Sequence, residues 1–321
     1  MRRGAALLLA TAAAVSGCGS EAQSWSTADL FVVTAVGDAA TLVAVDLEDN
    51  RAYVAAELSD EGIETLDTST VYYDRGRVLL GWTANNEPRR YAWLDAAQQE
   101  VVKLGTSDID LGIAKLHGGD LVGVGAFVES APTVIRRSLA DDTLTSSGAL
   151  RLSPAELAAG DNRVFVVGST DAAGTVVQRV APDLSLGEAV IVAADALPGE
   201  VAAAGDRAVI ALHKRVPAGV SPLARAVLAD DNRIVVLDPD GEIHVVTGAA
   251  APFFVVALDA NTVATDGSDP RGRRIVQFLD VGSDSVAASI VLPDTAPVQG
   301  LIRLDEDRVA VLQAGTVSGR L

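Results

Sequence analysis

"GDNRVFVVG" (Gly160–Gly168) is a polar turn followed at once by four consecutive apolar residues and a glycine. A half-exposed strand alternates apolar with polar residues, whereas a short continuous apolar run bounded by turn residues is the mark of a strand buried on both faces. The unit recurs as "YDRGRVLLG" (Tyr73–Gly81), "HGGDLVGVG" (His117–Gly125), "GDRAVIALH" (Gly205–His213), "LDANTVATDG" (Leu258–Gly267) and "DEDRVAVLQ" (Asp305–Gln313). The first strand residues are Val78, Leu121, Val164, Ala208, Val263 and Val309, spaced by 43, 43, 44, 55 and 46, and Phe31 in "LFVVTAVG" precedes the first by 47.

A second unit, a strand ending near an aspartate, then a tight turn and another strand, reads "LVAVDLEDNRAYVAAEL" (Leu42–Leu58) and "RIVVLDPDGEIHVVTG" (Arg233–Gly248). Its aspartates, Asp46, Asp95, Asp141, Asp183, Asp238 and Asp280, are 49, 46, 42, 55 and 42 apart. Both series stretch to 55 in the same copy, as one insertion requires. Short strands in groups of four at such a period predict an all-β fold, a β-propeller of four-stranded blades. The pattern resembles YVTN- or NHL-type propeller repeats, which implies that shape for a single domain over residues 29–321. Six blades are expected, the ring closed by Gln299–Asp305 pairing as inner strand with the strands of Phe31–Leu58; seven blades, the last one short, is the alternative. Asp161, Asp206, Asp231 and Asp307 fall in turns, where a short carboxylate bonds the backbone two residues on.

Met1, Arg2 and Arg3 followed by the apolar run Gly4–Ser16 have the form of a secretory leader too short to span a bilayer. The run ends in Val15-Ser16-Gly17-Cys18, which resembles the lipobox of bacterial lipoproteins and implies cleavage before Cys18 and acylation of its thiol. Residues 1–17 then form the signal peptide and 18–28 a lipidated tether. The implied location is extracytoplasmic, anchored to a bacterial membrane through the lipid. Cys18 is the sole cysteine of the 321 residues, so no internal disulfide exists in the oxidising compartment such a chain would enter.

The net charge is −18, or −20 once Arg2 and Arg3 are removed, which repels phosphate backbones and argues against nucleic acid as a partner. With 49% apolar residues the chain is globular rather than disordered.

In four-stranded blades the loops between second and third strands share an end with the connections to the next blade, where candidate ligand contacts gather. "GWTANNEPRRYAW" (Gly81–Trp93) offers Trp82, Asn85, Asn86, Arg89 and Arg90, and the insertion adds His213 and Arg215, with Arg271 from "TDGSDPRGRR". Flat rings with amide and guanidinium donors suit a protein, peptide or glycan ligand. The composition of such loops is equally that of residues capping a core. His117, His213 and His244 otherwise read as satisfied structural groups, and no G-x-S-x-G, H-E-x-x-H, Walker loop or zinc spacing occurs. The function expected is a non-enzymatic binding or scaffolding module without cofactor. The alternative is a calcium-assisted hydrolase similar to propeller lactonases, with Glu87, Glu129, Asp171, Asp266 and Asp269 as the carboxylates available to calcium.

Overall fold

A computed structural model describes residues 6–10, 28, 30–36, 39–46, 51–58, 72–74, 77–82, 90–95, 100–103, 110–126, 131–160, 162–170, 173–214, 232–250, 252–293, 296–306 and 308–313. Cys18, Asn85, Asn86, Glu87, Arg89, Glu129, Asp171 and Arg215 lie outside them, as do the side chains of Trp82 and Arg90. The chain divides into two compact units, one of Met1–Thr11, Pro132–Val134 and Ser146–Leu321, the other of Ala12–Ala131 and Ile135–Thr145.

The described residues form strands in seven sheets. Strand β1 (Ala6–Ala10) belongs to the seventh, with the last strands of the chain. The first sheet is β2 (Leu30–Val36), β3 (Ala39–Asp46) and β4 (Arg51–Glu57), and the second is β5 (Tyr72–Asp74), β6 (Arg77–Trp82), β7 (Arg90–Asp95) and β8 (Glu100–Lys103). The third runs β9 (Asp110–His117), β10 (Asp120–Ala126), β11 (Thr133–Ser138) and β12 (Leu144–Ala149). The fourth is β13 (Ser153–Ala159), β14 (Val164–Thr170), β15 (Ala173–Val180) and β16 (Leu186–Ala193). The fifth contains β17 (Ala196–Ala204), β18 (Arg207–Lys214), β19 (Arg233–Leu237) and β20 (Ile243–Val245), and the sixth β21 (Val255–Ala257), β22 (Thr262–Ser268), β23 (Arg274–Asp280) and β24 (Ser285–Val291). In these six sheets each strand pairs with its neighbours in the chain.

The apolar runs fall where burial is greatest. The repeated valine-rich unit is the second strand of each four-stranded sheet, and Val164–Gly168 of β14 is buried at every position. The fourth strands β12, β20 and β24 instead carry mixed sequences, and their residues are all half-buried or exposed. Facing sheets interlock through these runs: Phe165, Val167 and Val177 of the fourth meet Val201, Ile210 and Val235 of the fifth. Val209, Ile234 and Val236 of the fifth meet Val255, Val263 and Leu279 of the sixth. The 55-residue spacing is explained by the long connection between β18 and β19.

The chain ends depart from the expected closure. The seventh sheet is made by β25 (Val298–Arg303), β26 (Arg308–Gln313) and β1. β25 pairs with β26 rather than with a strand of the first sheet, so among the described residues the sheets number seven, as in the alternative reading, and the last is short. The reason is local. The amide of Leu304 donates to Arg308 O at 3.0 Å and Arg308 Nε to Asp305 Oδ2 at 2.5 Å, closing a hairpin whose loop entropy is far smaller than that of joining the two chain ends. The other edge of β26 is taken by β1 in parallel, Leu8 opposite Ala310. Residues 6–10 therefore cover an edge that would otherwise expose its amides and carbonyls, and removal of residues 1–17 would open it.

The turn bond expected of Asp161, Asp206, Asp231 and Asp307 is made among the described residues by other aspartates. Asp141, Asp183, Asp259 and Asp280 accept backbone N–H bonds from Thr143, Ser185, Asn261 and Gly282. Asp206 does not: its Oδ1 is buried without a hydrogen bond, 3.9 Å from Arg163 Nε of the preceding sheet. Asp161, Asp231 and Asp307 lie outside the described residues.

Candidate functional site

In antiparallel sheets written in chain order, second-to-third connections and sheet-to-sheet connections leave from the same end. Every candidate lies in, or on a strand beside, the second-to-third connection of its own sheet. Trp82 ends β6 and Arg90 begins β7, with Asn85, Asn86, Glu87 and Arg89 between them in the chain; Glu129 falls between β10 and β11 and Asp171 between β14 and β15. His213 is near the end of β18, Arg215 just beyond it, Asp266 within β22, and Asp269 and Arg271 between β22 and β23.

The candidates with described side chains belong to the fifth and sixth sheets, and of these His213 and Asp266 meet residues 252–255, which lead into β21. Phe253 and Phe254 donate their amides to Asp266 Oδ1 at 2.8 and 2.7 Å, and Val255 donates its amide to Glu200 Oε2 at 2.9 Å. Thr265 Oγ1 donates to Phe254 O at 2.7 Å and Asn232 Nδ2 to Pro252 O at 3.4 Å. A connection buried at its polar backbone needs such partners, since each unmet group there costs about 1–3 kcal/mol. Asp266 is 4% exposed, and burial pushes its pKa above the usual carboxylate range despite the amides of Phe254 and Phe253, which favour the ionised form.

The segment so fixed presents Phe253, 43% exposed, with its ring edge-on to His213 at a centroid distance of 4.7 Å and an interplanar angle of 65°. Leu197, 40% exposed, is the cross-strand partner of His213. The ring of His213 packs over Gly199, where a β-carbon would stand 2.6 Å from Nε2. Nε2 is buried and has no hydrogen-bond partner, so His213 is not the satisfied structural histidine expected. Burial lowers its pKa below the ordinary imidazole value, leaving a neutral ring at neutral pH.

Asp269 is spent on its own turn. Its Oδ1 accepts from the amides of Arg271 and Arg273 at 2.9 and 2.8 Å and its Oδ2 from Arg273 Nε at 2.7 Å, while Arg271 is exposed. The structure thus brings His213 and Asp266 to one connection and leaves Arg271 outward on the neighbouring turn. Phe253, Glu200 and Asn232 were not legible as site residues, although the consecutive aromatics of "APFFVV" (Ala251–Val256) on an otherwise aromatic-poor chain were a signal.

No protein-family model matches the chain, and no curated protein is similar to it at a significant level. Among solved structures, the β-propeller domain of the Trilobed protease from Pyrococcus furiosus is similar over 83% of this chain and 78% of its own, at 10% identity and a TM-score of 0.56. The fold is a β-propeller. Hydrazine synthase from Kuenenia stuttgartiensis is similar over 94% of this propeller chain and 99% of its own, at 8% identity and a TM-score of 0.55. TolB from Acinetobacter baumannii is similar over 86% of this chain, at 9% identity and a TM-score of 0.48, and the chain spans 63% of that protein's length.

Proposed function

We propose that this propeller is a non-enzymatic binding module of the bacterial envelope, held to a membrane by a lipid on Cys18 and recognising a protein, peptide or glycan through loops at one end of its sheets. The observation that carries the binding reading is the pinned 252–255 connection. Five hydrogen bonds from four side chains fix an exposed phenylalanine whose ring packs edge-on against the His213 ring. A rigid exposed aromatic loses little entropy on binding and offers contact area, the makings of an interface hot spot. The lipobox-like Val15–Cys18 supports the anchor. The calcium-hydrolase reading gains nothing from the sixth sheet, where Asp266 Oδ1 and both oxygens of Asp269 are engaged by amides and by Arg273.

The test is to probe peptide and glycan arrays with the full chain and with Phe253→Ala. The reading expects retention of one ligand class by the native chain and about 10- to 100-fold weaker binding by the variant at an unchanged melting temperature. Equal binding by both would mean that this end of the sheets is not the binding surface.

A further inference from the structure

At the opposite end of the fifth and sixth sheets, His244 of β20 stands between two carboxylates. Its Nε2 lies 2.9 Å from Asp238 Oδ2, just past β19 of the same sheet, and its Nδ1 meets Asp284 Oδ1 in the β23–β24 turn of the sixth sheet. An ionised carboxylate is an acceptor only, and a neutral imidazole has one N–H and one lone pair. Both contacts are therefore hydrogen bonds only when the ring carries two protons. Asp238 is kept ionised by Arg207 of β18, whose Nε donates to Oδ1 at 2.6 Å.

The same end joins the sheets by further contacts. Arg207 also reaches Ala260 O and Asn261 Oδ1 of the sixth sheet, both at 3.2 Å, and Thr247 donates its amide and its hydroxyl to Asp284 O at 3.1 and 3.0 Å. From the fourth sheet Arg179 of β15 donates to the peptide oxygens of Asp238 and Pro239. Asp240 and Glu242 complete the charged groups of the β19–β20 turn; with Asp238 they bring three carboxylates within 4.8 Å. That trio is not open to a cation, because Arg207 and His244 already occupy the two oxygens of Asp238.

We propose that His244 is a proton-operated latch between the fifth and sixth sheets, closed when the ring is an imidazolium and released when it is neutral. On losing a proton, one ring nitrogen turns a lone pair toward a carboxylate, so an attraction becomes a repulsion on one side of the ring. Partial burial by itself lowers the pKa of His244, but the hydrogen bonds and charges of Asp284 and Asp238 outweigh it and hold the pKa above the ordinary imidazole value of about 6.5. A base whose pKa is raised on folding contributes its full stability below the unfolded value and loses it as pH rises through the folded one. The latch is a property of the fold, and its use rests on the extracytoplasmic reading, since pH outside the cytoplasm follows the medium.

The experiment is a histidine ¹⁵N NMR titration of the full chain, with His117→Gln and His213→Gln assigning the three rings, repeated on Asp284→Asn. The expected result is that His244 titrates above the ordinary value with both nitrogens protonated on the acid side, and that Asp284→Asn moves its midpoint down while the native melting transition is kept. His244→Gln should also remove the gain in melting temperature that the native chain shows on acidification from alkaline pH. A His244 midpoint at or below the ordinary value, or one unmoved in Asp284→Asn, would overturn the latch. The midpoint is read in the native chain, so it decides the matter even if His244→Gln fails to fold.

Discussion

The carbonyl oxygen of Ala250 lies 2.0 Å from where a β-carbon on Gly267 would be, and Ser153 O stands in the same relation to Gly168. In each case the chain entering a sheet crosses close over its second strand, and backbone, unlike a side chain, has no rotamer by which to withdraw. Gly168→Ala and Gly267→Ala are each expected to destabilise by ~1–3 kcal/mol. Gly112, with nothing within 4 Å of its would-be β-carbon, is the control, and Gly112→Ala should stay within about 0.5 kcal/mol of native in a denaturant melt.

Arg207 serves three acceptors at once, Asp238 Oδ1, Ala260 O and Asn261 Oδ1. A lysine ammonium has the charge but not the planar fork, so Arg207→Lys should lose nearly as much stability as Arg207→Ala, on the order of 1 kcal/mol. Retention of native stability by the lysine variant would mean that charge alone matters at this sheet junction.

These relationships show what the sequence made legible. The glycine that closes "VFVVG" and "ATDG" finds its reason in the close backbone approach at Gly168 and Gly267. The run Val164–Val167 announced a strand buried on both faces because burial by neighbouring sheets selects apolar residues at every position, a signal carried within four residues. Chain closure was not legible in the same way. Whether Gln299–Asp305 pairs with the first sheet or with Arg308–Gln313 depends on competition between a distant partner and a hairpin, and the strand sequence is alike for both. The role of Asp238 was hidden for a related reason: it shares the spacing of Asp141, Asp183 and Asp280, which cap their own turns, yet its carboxyl goes to Arg207 and His244 while Asp240 takes the amide of Glu242. Of the candidate site, the loop positions were readable from spacing, but Phe253 and its four supporting side chains come together through the β21–β22 pairing and through the fifth sheet packing beside the sixth.

Burial of His213 sets a pH dependence of opposite sign to that of His244. Its pKa is lowered on folding, so its neutral form suits the native state above the ordinary imidazole value of about 6.5 and stability is lost as pH falls through that value. Subtracting the denaturant midpoints of His213→Gln from those of the native chain between pH 8 and pH 5 should give a difference that falls toward acid. A flat or rising difference would place His213 in water rather than against Phe253.

If the binding end works without metal, chelator should leave the melting temperature of the full chain unchanged, and Asp269→Asn should act only through its turn. A ligand that binds the native state raises its stability by mass action. A drop of several degrees on chelation, with stoichiometric calcium in the purified protein, would favour the hydrolase instead.

The anchor is tested most directly by the mass of the N-terminal peptide of the protein isolated from membranes. The account predicts a chain that begins at Cys18 with a diacylglyceryl group on its sulfur, residues 1–17 gone and the β26 edge freed of Ala6–Ala10. A chain beginning at Met1 with an unmodified Cys18 thiol would contradict it.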